Sequence, residues 1–165
     1  MKIRTDFVTN SSSSSFVLEI IFTLTNDQEI SLYGENGDDG DADFYEAFIR
    51  VSPKQLGTAK NIEELVKLLK NGTDIIGNQN FILDFIEEIK SGITSMDEIE
   101  SIKIIGNESN YMDYDREFTY NLKSKEYKGD IWGEEFEKNG SSGGGLYFSD
   151  LNECDIWHEG DDEEE

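Results

Sequence analysis

The chain has 165 residues, with 37 Asp+Glu against 14 Lys+Arg, one His, one Cys and one Pro. Hydrophobic residues make up 36%, enough for one core at this length and not for two large ones, which argues against a multi-domain enzyme. One cysteine excludes an internal disulfide, one histidine excludes a His-rich metal site, and a net charge of -23 disfavours direct binding to nucleic acid or anionic lipid.

That charge opposes compaction, and the mean hydropathy of -0.58 leans the same way, so a fold must come from local concentration of apolar residues. The charge is uneven: residues 131–165 carry twelve acids against one base. The longest apolar run, residues 16–24, is interrupted by Glu19 and is far short of the roughly 18 residues a membrane span needs. Ser11–Ser15 stands where a signal peptide has its apolar segment. Together with the unpaired cysteine this leads us to expect a cytoplasmic location and no membrane.

In chain order, residues 1–15 read as a Ser-rich lead-in. Residues 16–24 place Phe16, Leu18, Ile20, Phe22 and Leu24 on one face, the period-2 pattern of a half-buried strand. Thr25-Asn26-Asp27 supplies a turn, and Ile30 and Leu32 then alternate with Glu29, Ser31 and Tyr33 as its hairpin partner. Residues 34–43 read as an acidic loop too charged and glycine-rich to pack. Phe44–Ile49 is ambiguous between helix and strand, and Ser52-Pro53 closes it.

Asn61 followed by Glu64 resembles a capping box, opening an amphipathic helix at about 61–71 with Ile62, Leu65, Val66 and Leu69 inward. A second helix is expected at about 79–90, with Phe81, Ile82, Phe85, Ile86 and Ile89 inward and Glu87 and Glu88 outward. Ser95 with Glu98 caps a single turn, and Ser101–Ile105 reads as a strand stopping at Gly106-Asn107. Arg116–Lys123 alternates as another strand, and residues 125–132 return as its partner. A flexible Gly/Ser connector at 139–145, a short strand at Leu146–Phe148 and an acidic tail at 159–165 complete the chain.

Strands at both ends with helices between them predict an α+β fold over a single domain, residues 16–158: a small, largely antiparallel sheet with both helices packed on one face. One parallel crossover among the strands flanking the helices is the alternative topology.

The chemistry-bearing patterns are incomplete. No GxxxxGK[ST] loop occurs, and Gly143–Gly145 has no lysine to meet a phosphate. Asp39, Asp41 and Asp43 alternate like the first half of a calcium loop, but Phe44 and Arg50 stand where that loop has its glycine and bidentate glutamate. Cys154 and His158 are four apart, too few for a structural zinc site, and neighbouring carboxylates raise a thiol's pKa. Both sets remain weak metal candidates, and neither a catalytic residue nor a cofactor is indicated. Paired acids such as Glu63-Glu64, Glu87-Glu88, Asp113 with Asp115 and Glu134-Glu135 are too abundant to single out a catalytic pair. Aromatics between Tyr111 and Tyr127 include Phe118 and Tyr120, which fit the core face of a strand better than a stacking groove.

The most distinctive string is Lys2-Ile-Arg-Thr-Asp-Phe-Val-Thr-Asn-Ser-Ser-Ser-Ser-Ser-Phe16. It resembles an N-terminal signature carried by uncharacterised proteins of Firmicutes and their phages, in which a basic start is followed by Phe-Val, Thr/Ser-Asn, a serine run and an aromatic. The resemblance covers residues 1–16 alone; it implies a bacterial or phage origin and brings no activity. Within it, a flexible lead-in competes with a recognition or processing tag. The expected function is that of a non-catalytic acidic interaction protein meeting a basic protein partner. The alternatives are a divalent-metal-dependent enzyme built on Asp39, Asp41 and Asp43 or on the Asp113–Glu117 cluster, and a nucleic-acid mimic.

Overall fold

A computed structural model describes residues 15–36, 43–78, 80–109, 113–133 and 144–146. The alternation read in the first apolar run builds strand β1 (Ser15–Leu24), which turns at Thr25–Gln28 into β2 (Glu29–Glu35). The turn is set by hydrogen bonds from the Leu24 N–H to the Gln28 carbonyl (2.8 Å) and from the Asp27 N–H to the Leu24 carbonyl (2.9 Å). Asp27 takes φ 75° there, a left-handed position that Asp tolerates better than most residues.

Strands β3 (Phe44–Ile49) and β4 (Thr73–Gly77) pair with each other, and β5 (Ile99–Ser109), β6 (Asp113–Asn121) and β7 (Glu126–Gly133) follow the helices. The main sheet is antiparallel throughout, in the order β2-β1-β5-β6-β7. No parallel crossover joins its strands. A second, smaller sheet was not foreseen: β3 pairs antiparallel with β4 and, over three residues, parallel with β8 (Gly144–Leu146).

The helices are α1 (Pro53–Gly57), α2 (Ile62–Asn71) and α3 (Asn80–Gly92), with a 3-10 turn at Met96–Glu98. In the α2 cap, Asn61 Oδ1 accepts the Glu64 N–H (2.8 Å), but Glu64 Oε1 accepts the N–H of Lys60 rather than of Asn61 (2.8 Å). The Ser95 turn repeats that offset: Ser95 Oγ accepts from Asp97, and Glu98 reaches back to Thr94. Two elements differ from expectation. β3 ends at Ile49 ahead of Ser52-Pro53, but Ser52-Pro53 also starts α1, with Ser52 Oγ accepting the Gln55 N–H and Gln55 returning to the Ser52 N–H, and proline at the first helical position has no N–H to lose. Thr73–Gly77, to which no element was assigned between the two expected helices, is an edge strand of the small sheet.

One face of the main sheet is buried and covered by these elements. Ile20 and Phe22 of β1 stand beside Leu32 and Ile30 of β2 and beside Ile104 and Ile102 of β5, which in turn face Phe118 and Tyr120 of β6. Helix α3 packs on the β2 side, with Phe85 edge-on to Phe22 at 5.7 Å between ring centroids. Helix α1 lies over β5 and β6. Leu146 of β8 sits above Gly106, where a Cβ would stand 2.9 Å from its Cγ. That close approach needs a glycine, and β5, expected to end there, runs on through it, paired on both sides. Arg116, opposite Gly106, points into the same face and is 1% exposed. The other face alternates Glu19, Tyr33, Lys103 and Glu117, all half-buried or exposed, with Lys103 and Glu117 paired across strands at 3.3 Å.

Three boundaries are corrected. Gly34 and Glu35 belong to β2 rather than to an acidic loop, because Gly34 is buried where any side chain would meet the Phe81 ring and Phe44. Gly144 and Gly145 are ladder residues opposite Ala47 and Phe48 rather than connector. Ser15 opens β1. The rest of the lead-in, residues 139–143, Tyr147, Phe148 and the tail lie outside the described residues.

Candidate functional site

The site begins with the backbone of β2. In an antiparallel pair, residues alternate between those that exchange N–H and C=O with the partner strand and those whose groups point away. The Leu24–Gln28 bond at the turn and the Asn36 N–H bond to the Phe16 carbonyl (3.0 Å) at the far end fix the parity. Ile30, Leu32 and Gly34 therefore face β1, and Glu29, Ser31, Tyr33 and Glu35 face outward. At Glu35 the outward groups are taken: its N–H donates to Asp43 Oδ2 (3.1 Å), and its carbonyl accepts the Asp43 N–H (3.1 Å). Beyond that point no described residue pairs with the Ser31 and Tyr33 backbone on this side, and β2 ends the sheet.

A groove of about 640 Å³ runs between this edge and α3. Helix α3 stands beside it because Phe85 packs on Phe22 and Phe81 packs on Phe44 at 5.1 Å between centroids. Burying Ile82, Phe85, Ile86 and Ile89 inward leaves Phe81, Asp84, Glu88 and Ser91 as a stripe along the groove, at steps of three, four and three residues. Asp43 and Glu87 add two more carboxylates, and among the described residues no lysine, arginine or histidine lines it. Glu87 also meets Lys90 at 3.6 Å on the exposed side of the helix, a weak contact for an exposed pair.

Tyr33 lines this groove. The residue is 53% exposed, and its hydroxyl is pushed above the ordinary tyrosine value, first by partial burial and then by the negative charges of Glu35, Glu19 and Asp43. Chemically, the arrangement suits a cationic group, with a ring face and carboxylates on one wall and hydrogen-bonding backbone on the other.

The metal candidates of the sequence are not brought together. Asp43 closes the β2 edge, whereas Asp39, Asp41, Cys154 and His158 lie outside the described residues. Asp113 and Asp115 stand in β6 opposite Ser109 and Asn107, and Glu117 is engaged by Lys103. Among the described residues, no group of three or more His, Cys, Asp or Glu side chains is placed to hold a metal ion. Among them, too, no helix is long and apolar enough to cross a membrane. The residues that reasoning from sequence missed are Ser31, Tyr33 and Asp84. The Asp84–Glu88 spacing was visible; its placement beside a sheet edge was not.

The chain matches no known protein family, no characterised protein and no solved structure.

Proposed function

We propose that the protein is a non-catalytic acidic interaction protein, and that it holds a basic protein partner in the groove between β2 and α3. One observation carries the reading: among the described residues, the wall of that groove joins Asp43, Asp84, Glu87 and Glu88 to the rings of Tyr33 and Phe81 without a single cationic side chain. Exposed carboxylates steer an oppositely charged partner and set its orientation, and each exposed pair contributes little affinity alone, so several must act together. An aromatic face beside them favours the ammonium or guanidinium of a bound side chain.

The test is the binding of a fluorescent oligolysine to the full chain, followed against salt. Affinity is expected to fall about tenfold or more between low and physiological ionic strength, as exposed charge pairs are screened over about 8–10 Å. Reversing Asp84 and Glu88 to lysine should weaken binding by a similar factor. Reversing the exposed Glu126, on β7 at the opposite edge of the sheet, should leave it within about twofold, because a charge that far away is screened. Equal weakening by both reversals would mean that the peptide follows net charge alone, and the groove would lose its role.

A further inference from the structure

We infer that the basic partner docks as an added β-strand on the open edge of β2, using lysine or arginine at alternate positions to meet the acids of α3. The inference rests on the proposed binding of a basic partner and adds how that partner is held.

Two observations point to strand addition rather than to loose charge contact. Ser31 and Tyr33 present outward N–H and C=O groups that no described residue pairs, at an edge bordered by a groove. Unpaired edge groups are a template for another strand. The chain also closes this same edge itself where it continues: at Glu35, Asp43 takes both the N–H and the C=O. Among the described residues, what stays open is the segment Glu29–Tyr33, about 13 Å at roughly 3.3 Å per residue, which suits about five residues of extended peptide.

The geometry also sets the partner's sequence pattern. In a strand, side chains two residues apart point the same way and stand about 6.6 Å apart. Along α3, Asp84 and Glu88 are four residues apart on one stripe, a rise of about 6 Å. Cationic side chains at positions i and i+2 of an added strand therefore meet one carboxylate each, and the intervening side chain points to the outer face beside Tyr33 and Glu19, which are opposite each other in the ladder. Charge chooses among occupants: a second copy of a chain with net charge -23 would bring acids against acids, and like charges across an interface disfavour it.

The experiment measures binding of three fluorescent peptides to the full chain at low salt: an alternating Lys-Val octapeptide, the same peptide N-methylated along its backbone, and a block isomer with its lysines together. The alternating peptide is expected to bind at least tenfold more tightly than the methylated form, which keeps every charge but has no N–H to donate, and more tightly than the block isomer. Ser31→Pro, which removes an outward N–H the β1–β2 ladder does not use, should cost a similar factor. Should that variant not fold, Asp84→Lys with Glu88→Lys on the exposed helix face should abolish the preference for alternation over blocks. Equal binding of the methylated and parent peptides overturns strand addition and leaves the acidic groove as a binding site. Failure of all three peptides to bind overturns both readings. Sedimentation showing a dimer that Ser31→Pro dissociates assigns the edge to a second copy and overturns the inference.

Discussion

The outer edge of β2 behaves differently at its two ends. At Glu35 the strand is sealed: Asp43 accepts one hydrogen bond and donates another, Phe44 continues alongside Asn36, and Phe81 fills the space over Gly34. Four residues earlier, at Ser31, the same edge faces a groove walled by carboxylates. Both ends use acids, but to opposite effect. Asp43 satisfies the backbone of its own chain, whereas Asp84 and Glu88 stand back across a gap and satisfy none of it. An uncovered edge invites aggregation; under the proposed docking, the negative wall beside this one would select cationic strands.

Several variants sharpen that contrast. The largest effect is expected where β1 supports both ends: Phe22→Ala removes a fully buried ring that touches Phe85 and should cost about 3–5 kcal/mol in chemical denaturation. At the sealed end, Gly34→Ala forces a methyl group against the Phe81 ring and should cost about 1–3 kcal/mol by overpacking. Asp43→Ala removes the carboxylate that accepts the Glu35 N–H while keeping the backbone N–H that meets the Glu35 carbonyl, and should cost about 1 kcal/mol, with faster amide exchange at Glu35. At the open end, Tyr33→Ala should change stability by no more than about 0.5 kcal/mol while weakening peptide binding, which separates a docking residue from a structural one.

The smallest effects are electrostatic. Tyr33 should titrate above an ordinary tyrosine, because burial and then Glu35, Glu19 and Asp43 disfavour its phenolate. Its contribution to stability is then present below the unfolded tyrosine value and lost as pH rises through the folded one. Glu35→Gln should bring that midpoint down, and a bound basic peptide should do the same, read from tyrosinate absorbance. Glu98 shifts the opposite way: hydrogen bonds from the Thr94 hydroxyl and N–H hold its carboxyl below the usual value. Its contribution is present above the unfolded carboxylate value and lost as pH falls through the folded one. Thr94→Val should raise the Glu98 midpoint toward that of a free glutamate in a carbon-detected NMR titration.

How much of this was legible in the sequence follows from which forces are local. The period-2 run of β1, the Asn61 cap and the apolar stripe of α3 carry their own signal, and the α+β architecture followed from them. Helix α1 was missed because Pro53 was weighed as a stop, although Ser52 and Gln55 stood at capping-box spacing around it. Strand β4 is five residues long with only Ile75 and Ile76 as large apolar side chains, and it exists because β3 is there to pair with it. Phe44–Ile49 stayed ambiguous for the same reason: its pairing with β4 includes a register shift between Phe44 and Glu46, so no clean alternation was written. Glu87 and Glu88 were read as an outward, solvated face, which they are. That the face borders an open strand depends on Phe22, Phe44, Phe81 and Phe85 meeting across some sixty residues of sequence, and no local pattern encodes that.

Amide hydrogen exchange resolved by NMR, with and without a saturating alternating Lys-Val peptide, tests the central claim most directly. The backbone N–H groups of Ser31 and Tyr33 should exchange quickly in the free protein and at least tenfold more slowly in the complex, while those of Ile30 and Leu32, which already face β1, change little. Chemical-shift changes at Asp84 and Glu88 with no added protection at Ser31 and Tyr33 would contradict it, leaving a charged surface and no added strand.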